Sequence, residues 1–233
     1  MHKYIVANYK MNGDKNSYLS LIKNFNKIKK TDTEIILCPP FLYVPFFENV
    51  KNVSVGAQSI CRLDDRRSTG QVSPNMLKEF GVKYVLVGHV EHRSIGDNFE
   101  SIAEKVRLCC DNGLTPILCI GDTDEQERKG AISKQMKSYL SKYITGEILF
   151  AYEPISAIDS GKIVSIERIE QSVATIKREA YEHGIHAKVL YGGGVRIDNY
   201  QSLLKTNIAG FLCGYTAHDF DEFYEIIKGM DNE

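Results

Sequence analysis

Eight short apolar runs recur along the chain, and none of them alternates cleanly between polar and apolar residues. They are YIVA (4–7), EIILC (34–38), VSVGA (53–57), YVLVG (84–88), PILCI (116–120), ILFAY (148–152), KVLYGG (188–193) and GFLCG (210–214). A continuous apolar run of about five residues suits a strand buried on both faces, as in a parallel sheet. Parallel neighbours need long crossovers, and the segments between the runs have the helical period. Leu19, Ile22, Phe25 and Ile28 form one predicted stripe, and Ile102, Val106 and Cys109 a second. Ile132, Met136, Tyr139, Leu140 and Tyr143 form a third, and Ile166, Ile169, Val173, Ile176 and Ala180 a fourth. Each has charged residues opposite, as expected of a helix laid on a sheet. Thr123 with Gln126, and Asp198 with Gln201, have the spacing of capping boxes, and Asn112-Gly113 fits a left-handed helix stop.

Strand and helix alternate from end to end, with no low-complexity stretch or linker, so residues 1–233 are expected to form one domain. Eight right-handed units in 233 residues predict a closed (β/α)8 barrel. The competing architecture, an open doubly wound sheet, usually carries a glycine-rich phosphate turn after its first strand. Here that position reads NYKMNG, and G-x-G-x-x-G occurs nowhere.

The 29 basic and 30 acidic residues are interspersed and give a net charge of −1, which favours neither nucleic acid nor an anionic membrane as a partner. No apolar run approaches the ~20 residues of a membrane helix. The start, MHKYIVANYKMNG, lacks the pattern of a signal peptide, so a soluble cytoplasmic protein is expected. Cys38, Cys119 and Cys213 lie in or beside apolar runs and Cys109-Cys110 in a helical pattern; reduced cysteines are predicted, without the C-x-x-C spacing of zinc ribbons.

In a barrel of this kind the working residues lie just past the strands. Asn8 and Lys10 follow the first strand, His89 and Glu91 the fourth, Glu153 the sixth, Gly192, Gly193 and Gly194 the seventh, and Gly214 the eighth. A desolvated carboxylate can take a proton from carbon beside a carbonyl, and imidazole and ammonium can stabilise the oxyanion that develops. Glycine turns expose N–H groups that can hold a phosphate. Such chemistry requires no metal and no organic cofactor. His89 and His92, three residues apart, could begin a metal site, but no third ligand converges with them in the sequence.

ANYKMNG, GAQ, STGQVSP, VGHVEHR, LCIGDT, AYEP, YGGGV and GFLCG follow one another in an order and spacing that resembles the triosephosphate isomerase family over the whole chain. The resemblance implies that Glu153 is the general base, His89 a neutral electrophile, Lys10 the cation that balances phosphate and enediolate, Asn8 a polar neighbour of that lysine, and Glu91 a supporting acid. It implies that Pro154, Ile155, Ser156, Ala157, Ile158, Asp159, Ser160, Gly161 and Lys162 form a lid, with Pro154 stiffening the first hinge. Phosphate would be held by Asn8, Lys10, Asp159, Ser160, Gly193, Gly194, Gly214 and Tyr215. It also implies a homodimer, with Thr69 in a long loop reaching toward the partner's site.

The sequence departs from the family pattern around this core. Ser156 stands for the hinge tryptophan, Asp159 for a glycine at the phosphate, Gly194 for a serine that latches the lid, and Tyr215 for the second glycine of the strand-eight turn. Val90, His92, Asp122 and Gln71 also differ from the usual residues. A lid that spends less time closed is expected. The pattern fits a working triosephosphate isomerase, a paralogue acting on another phosphorylated sugar such as a tetrulose phosphate, or a non-catalytic binder of phosphate ligands. Retention of Lys10, His89 and Glu153 disfavours the binder, which needs no base.

Overall fold

A computed structural model describes residues 2–63, 67–140, 144, 146–158 and 160–232. Its strands are β1 (Tyr4–Asn8), β2 (Glu34–Cys38), β3 (Ser54–Ala57), β4 (Val82–Val87), β5 (Thr115–Ile120), β6 (Leu149–Tyr152), β7 (Lys188–Tyr191) and β8 (Gly210–Cys213). They pair in parallel in chain order, and β8 returns to β1, closing the barrel. Closure brings β8 so near β1 that a Cβ on Gly210, at φ +142°, would lie 1.8 Å from the Tyr4 carbonyl oxygen. Only glycine permits that approach.

The helices are α1 (Lys15–Phe25), α2 (Pro74–Glu79), α3 (Val90–Ser94), α4 (Phe99–Asp111), α5 (Asp124–Arg128), α6 (Ala131–Tyr139), α7 (Ile166–Glu182), α8 (Tyr200–Leu204) and α9 (Phe220–Asp231). The crossover from β2 to β3 instead carries a 3-10 helix over Phe41–Phe47, with Pro45 inside it. Val6, Ile36, Cys38, Leu86, Cys119 and Leu190 belong to a small apolar cluster, separate from the larger one to which the helices contribute. Such small branched and sulfur-bearing residues fill a narrow barrel. Burial pushes the Cys38 and Cys119 thiols above their ordinary range, and all six cysteines are free.

The predicted stripes on α4 and α7 are buried except for the half-buried Ile166. Ile132, Met136, Tyr139 and Leu140 are buried as well, while Tyr143 lies outside the described residues. On α1 the stripe is displaced: Leu19 is exposed and Tyr18 is buried, its hydroxyl donating to the Asn12 carbonyl (2.6 Å). Thr123 and Gln126 make the expected capping box, and Gly113 takes the left-handed conformation after α4. Asp198 does not cap α8. Asn199 occupies that position, and its side chain instead braces the turn after β7, accepting from Arg196 N–H and donating to the Gly194 carbonyl (both 2.9 Å). No helix among the described residues is long and apolar enough to cross a membrane.

Candidate active site

Lys10, His89 and Glu153 meet at the C-terminal mouth of the barrel, on the wall of a cavity of ≈ 220 Å³. Each is held by its backbone. The Glu153 N–H donates to Ile120 O (2.7 Å), continuing the ladder one residue beyond β6. Beside it, Gly121 at φ +146° leaves no room for a side chain, since its Cβ would lie 2.3 Å from the Glu153 carbonyl oxygen. Gln135 on α6 fixes that glycine, accepting from its N–H (3.0 Å) and donating to its carbonyl (3.2 Å). The side chain of Glu153 thus leaves a rigid stem, and the residue is 2% exposed.

His89 caps α3 with its own ring: Nδ1 accepts the Glu91 N–H at 3.3 Å. With Nδ1 so engaged, Nε2 is the ring nitrogen left for Glu153. That Nε2 lies 3.2 Å from Glu153 Oε1, while Glu153 Oε2 is buried without a hydrogen-bond partner among the described residues. Lys10 has φ +51°, an uncommon backbone state for a residue with a side chain. Asn8 Oδ1 accepts the Lys10 N–H (3.0 Å), and Gln58 Nε2 donates to the Lys10 carbonyl (2.8 Å), which holds the strained turn. The Lys10 ammonium reaches Glu91 Oε1 at 2.9 Å. Neither glutamine was singled out from the sequence; their bonds span distant residues, and only the GAQ motif pointed to Gln58.

The segment expected to be a lid begins at the buried Pro154, turns once over Ile155–Ala157, and brings Ile158, Ser160 and Gly161 onto the cavity wall. Asp159 lies outside the described residues. The Ser160 hydroxyl is engaged within the segment, donating to Ala157 O (2.9 Å) and accepting the Lys162 N–H (3.1 Å). At its far end the Val164 N–H donates to Tyr191 Oη (3.3 Å).

Gly192, Gly194, Gly214 and Tyr215 line the cavity. Gly193 is buried behind it, where a Cβ would come within 2.9 Å of the Ala157 Cβ. At Gly194, at φ +62°, a Cβ would lie 2.3 Å from the Lys162 carbonyl oxygen, so the end of the segment occupies the space a side chain would need.

Ser156 has found a partner of its own. Its hydroxyl donates to Asp124 Oδ1 (2.8 Å), which also pairs with Arg168 (2.7 Å). Arg168 in turn bonds Glu127, and Tyr152 Oη donates to Glu127 Oε2 (3.0 Å). Burial opposes the charge on Arg168, yet its bonds to Glu127 and Asp124 hold its pKa above the ordinary value.

A lysine, a histidine and a buried glutamate at a barrel mouth are compatible with many enzymes of this fold, and the comparisons with known proteins decide among them. The triosephosphate isomerase family model matches residues 3–230. The chain belongs to the triosephosphate isomerase family. A triosephosphate isomerase of Wolbachia pipientis wMel is 35% identical over 98% of this chain and 94% of its own. One from Ehrlichia chaffeensis is 34% identical over 100% of this chain and 98% of its own. The triosephosphate isomerase likeness thus runs through every unit of the barrel.

Proposed function

We propose that this member of the family interconverts dihydroxyacetone phosphate and D-glyceraldehyde 3-phosphate by proton transfer through an enediolate. The observation that carries the reading is the placement of a buried Glu153 carboxylate beside the His89 imidazole in a cavity shared with Lys10. Glu153 takes the proton from the carbon next to the carbonyl, and the electron pair moves onto the carbonyl oxygen. The His89 Nε2–H donates to that oxygen as it gains charge, and the Lys10 ammonium offsets the enediolate and the phosphate. The hydroxyl proton of the enediolate passes through the His89 ring to the former carbonyl oxygen, and the oxygen it leaves becomes the new carbonyl. Glu153 returns its proton to the carbon that bore the old carbonyl, which completes the exchange of aldehyde and ketone. Asn8 keeps Lys10 in its strained conformation, and Glu91 orients both Lys10 and His89. Residues 154–162 serve as the lid that excludes water.

A cytoplasmic homodimer completes the reading. Its support is the long segment 59–74, whose two ends are joined by the bond from Cys61 N–H to Val72 O (3.0 Å). Thr69 is exposed in this segment, while Asp64, Asp65 and Arg66 lie outside the described residues. A coupled assay with triose phosphate and tetrulose phosphate side by side tests the reaction. Turnover of the triose phosphate supports it, and turnover of the tetrulose phosphate alone refutes it. Sedimentation tests the dimer; a species of about the 26.3 kDa chain mass alone refutes that part.

A further inference from the structure

The turns after β7 and β8 carry an arginine and a tyrosine whose arrangement the reaction has not yet used. The Arg196 guanidinium carbon lies 4.8 Å from the Tyr215 ring centroid, stacked on a ring that is 67% exposed. Its Nε donates to Glu222 Oε1 (3.1 Å) on α9, and the same oxygen accepts the Ile197 N–H (3.1 Å). Thr216 Oγ1 donates to Val195 O (2.5 Å), tying the two turns to each other. The guanidinium is therefore fixed by its face and by its Nε edge. Its two Nη groups carry no hydrogen bond to a described residue. They belong to a side chain that lines the same cavity as Glu153 and His89, alongside Ser160, Gly161, Gly194 and Gly214.

The geometry points to Arg196 as a substrate-binding residue that takes the phosphate of the sugar phosphate on its Nη fork, with Tyr215 as its platform and Glu222 as its tether. The inference rests on the phosphate-ester substrate proposed above and adds the residue that selects for it. A planar fork matches two phosphate oxygens at once, which a lysine cannot do. Holding the guanidinium before the ligand arrives reduces the ordering cost of binding. Glu222 bonds at Nε and so leaves the fork itself open. The bulky residue at position 215 thereby gains a role. It narrows a turn that would otherwise offer only backbone N–H groups, and in exchange it supports a cation at the same end of the cavity. Arg196 also lies on the wall of a second, more open groove of ≈ 750 Å³, lined with Lys10 and Tyr215 among others, so an incoming anion meets it from the solvent side.

The test compares wild type with Arg196→Ala, Arg196→Gln and Arg196→Lys; the glutamine and lysine variants keep a donor for Glu222 and guard against loss of fold. Steady-state kinetics with triose phosphate are set beside calorimetric binding of inorganic phosphate, which needs no turnover. All three variants are expected to raise KM about tenfold and to weaken phosphate by a similar factor, with kcat falling less than KM rises. The kcat/KM for D-glyceraldehyde, which has no phosphate, falls several-fold less. Tyr215→Ala shifts KM in the same direction, and adds little when combined with Arg196→Ala. A KM and phosphate affinity within about twofold of wild type, or a loss of kcat at constant KM, overturns the assignment. Activity of the wild-type protein on triose phosphate is read independently, so a failure here does not count against the reaction itself.

Discussion

Oε1 of Glu153 stands 3.2 Å from Nε2 of His89, while the other oxygen of the same carboxylate is buried and unpartnered among the described residues. A buried acceptor left unsatisfied is costly in a resting protein, and such cost collects where a ligand supplies the missing partner. One oxygen faces His89 Nε2, and the other is unpartnered among the described residues. Both depend on the length of the glutamate side chain, because the stem at Gly121 and Ile120 is rigid. Glu153→Asp withdraws the carboxylate by one methylene, and a misplacement of about 1 Å is expected to lower kcat by about 10²-fold with little change in thermal stability. An aspartate variant with wild-type kcat would remove Glu153 from the role of base.

Gly194 invites the opposite experiment, restoring the side chain that the family pattern has there. The Lys162 carbonyl oxygen would be 2.3 Å from the new Cβ, and the residue would have to keep φ near +62°. The left-handed conformation alone costs a side-chain-bearing residue roughly 1–2 kcal/mol. Gly194→Ser is therefore expected to push the end of the lid outward, lower the melting temperature and raise KM by about tenfold, judging from the strain converted to affinity. The absent serine is thus not a simple loss of a latch, because the backbone of Lys162 occupies the space its side chain would need. Kinetics and a melting curve for this variant decide the matter; a lower KM would show that the lid can make room.

Much of this was legible because parallel strands buried on both faces leave unbroken apolar runs. All eight were found within a few residues of their final bounds. The meeting of Lys10, His89 and Glu153 was legible because topology puts strand ends together whatever the side chains do. What failed involved amphipathic residues and long-range bonds. Tyr18 displaced Leu19 because a tyrosine ring can be buried while its hydroxyl finds a carbonyl, here that of Asn12. Asp198 lost the cap because Asn199 was recruited to the turn beside it. Arg196 gave no signal, since its meaning depends on Tyr215 and Glu222, 19 and 26 residues further on.

The chain of bonds from Tyr152 through Glu127, Arg168 and Asp124 to Ser156 anchors the start of segment 154–162 to α5 and α7. Its members differ in burial. Ser156 is exposed, so Ser156→Ala is expected to cost less than about 1 kcal/mol of stability and to be felt mainly as a several-fold lower kcat/KM. The Glu127 side chain is 7% exposed, so Arg168→Met strands a buried carboxylate and should cost about 3 kcal/mol, near the lower end for such pairs. Chemical denaturation of Arg168→Met, Glu127→Gln and their combination provides the check. If the double variant were no more stable than Arg168→Met alone, the stranded charge would not be the cause.

His92 gives the fold a pH dependence whose direction can be worked out. The ring is partly buried on α3 with Nδ1 lacking a hydrogen-bond partner among the described residues. Burial first, then the nearby Lys105 and His89, lower its pKa from 6.5, with Asp97 and Glu91 opposing. The unfolded chain takes up a proton near 6.5, whereas the folded chain resists until a lower pH. Between those two values the unfolded state binds more protons, so acid favours unfolding there. The contribution is complete above the unfolded pKa and is lost as pH falls toward the folded one. Melting temperatures at pH 7.5 and pH 5.5 should therefore drop less in His92→Gln than in wild type, since glutamine has the polar atoms but no proton to gain. An equal drop in both proteins would assign the acid sensitivity to other groups and leave His92 neutral at both pH values or charged in both states.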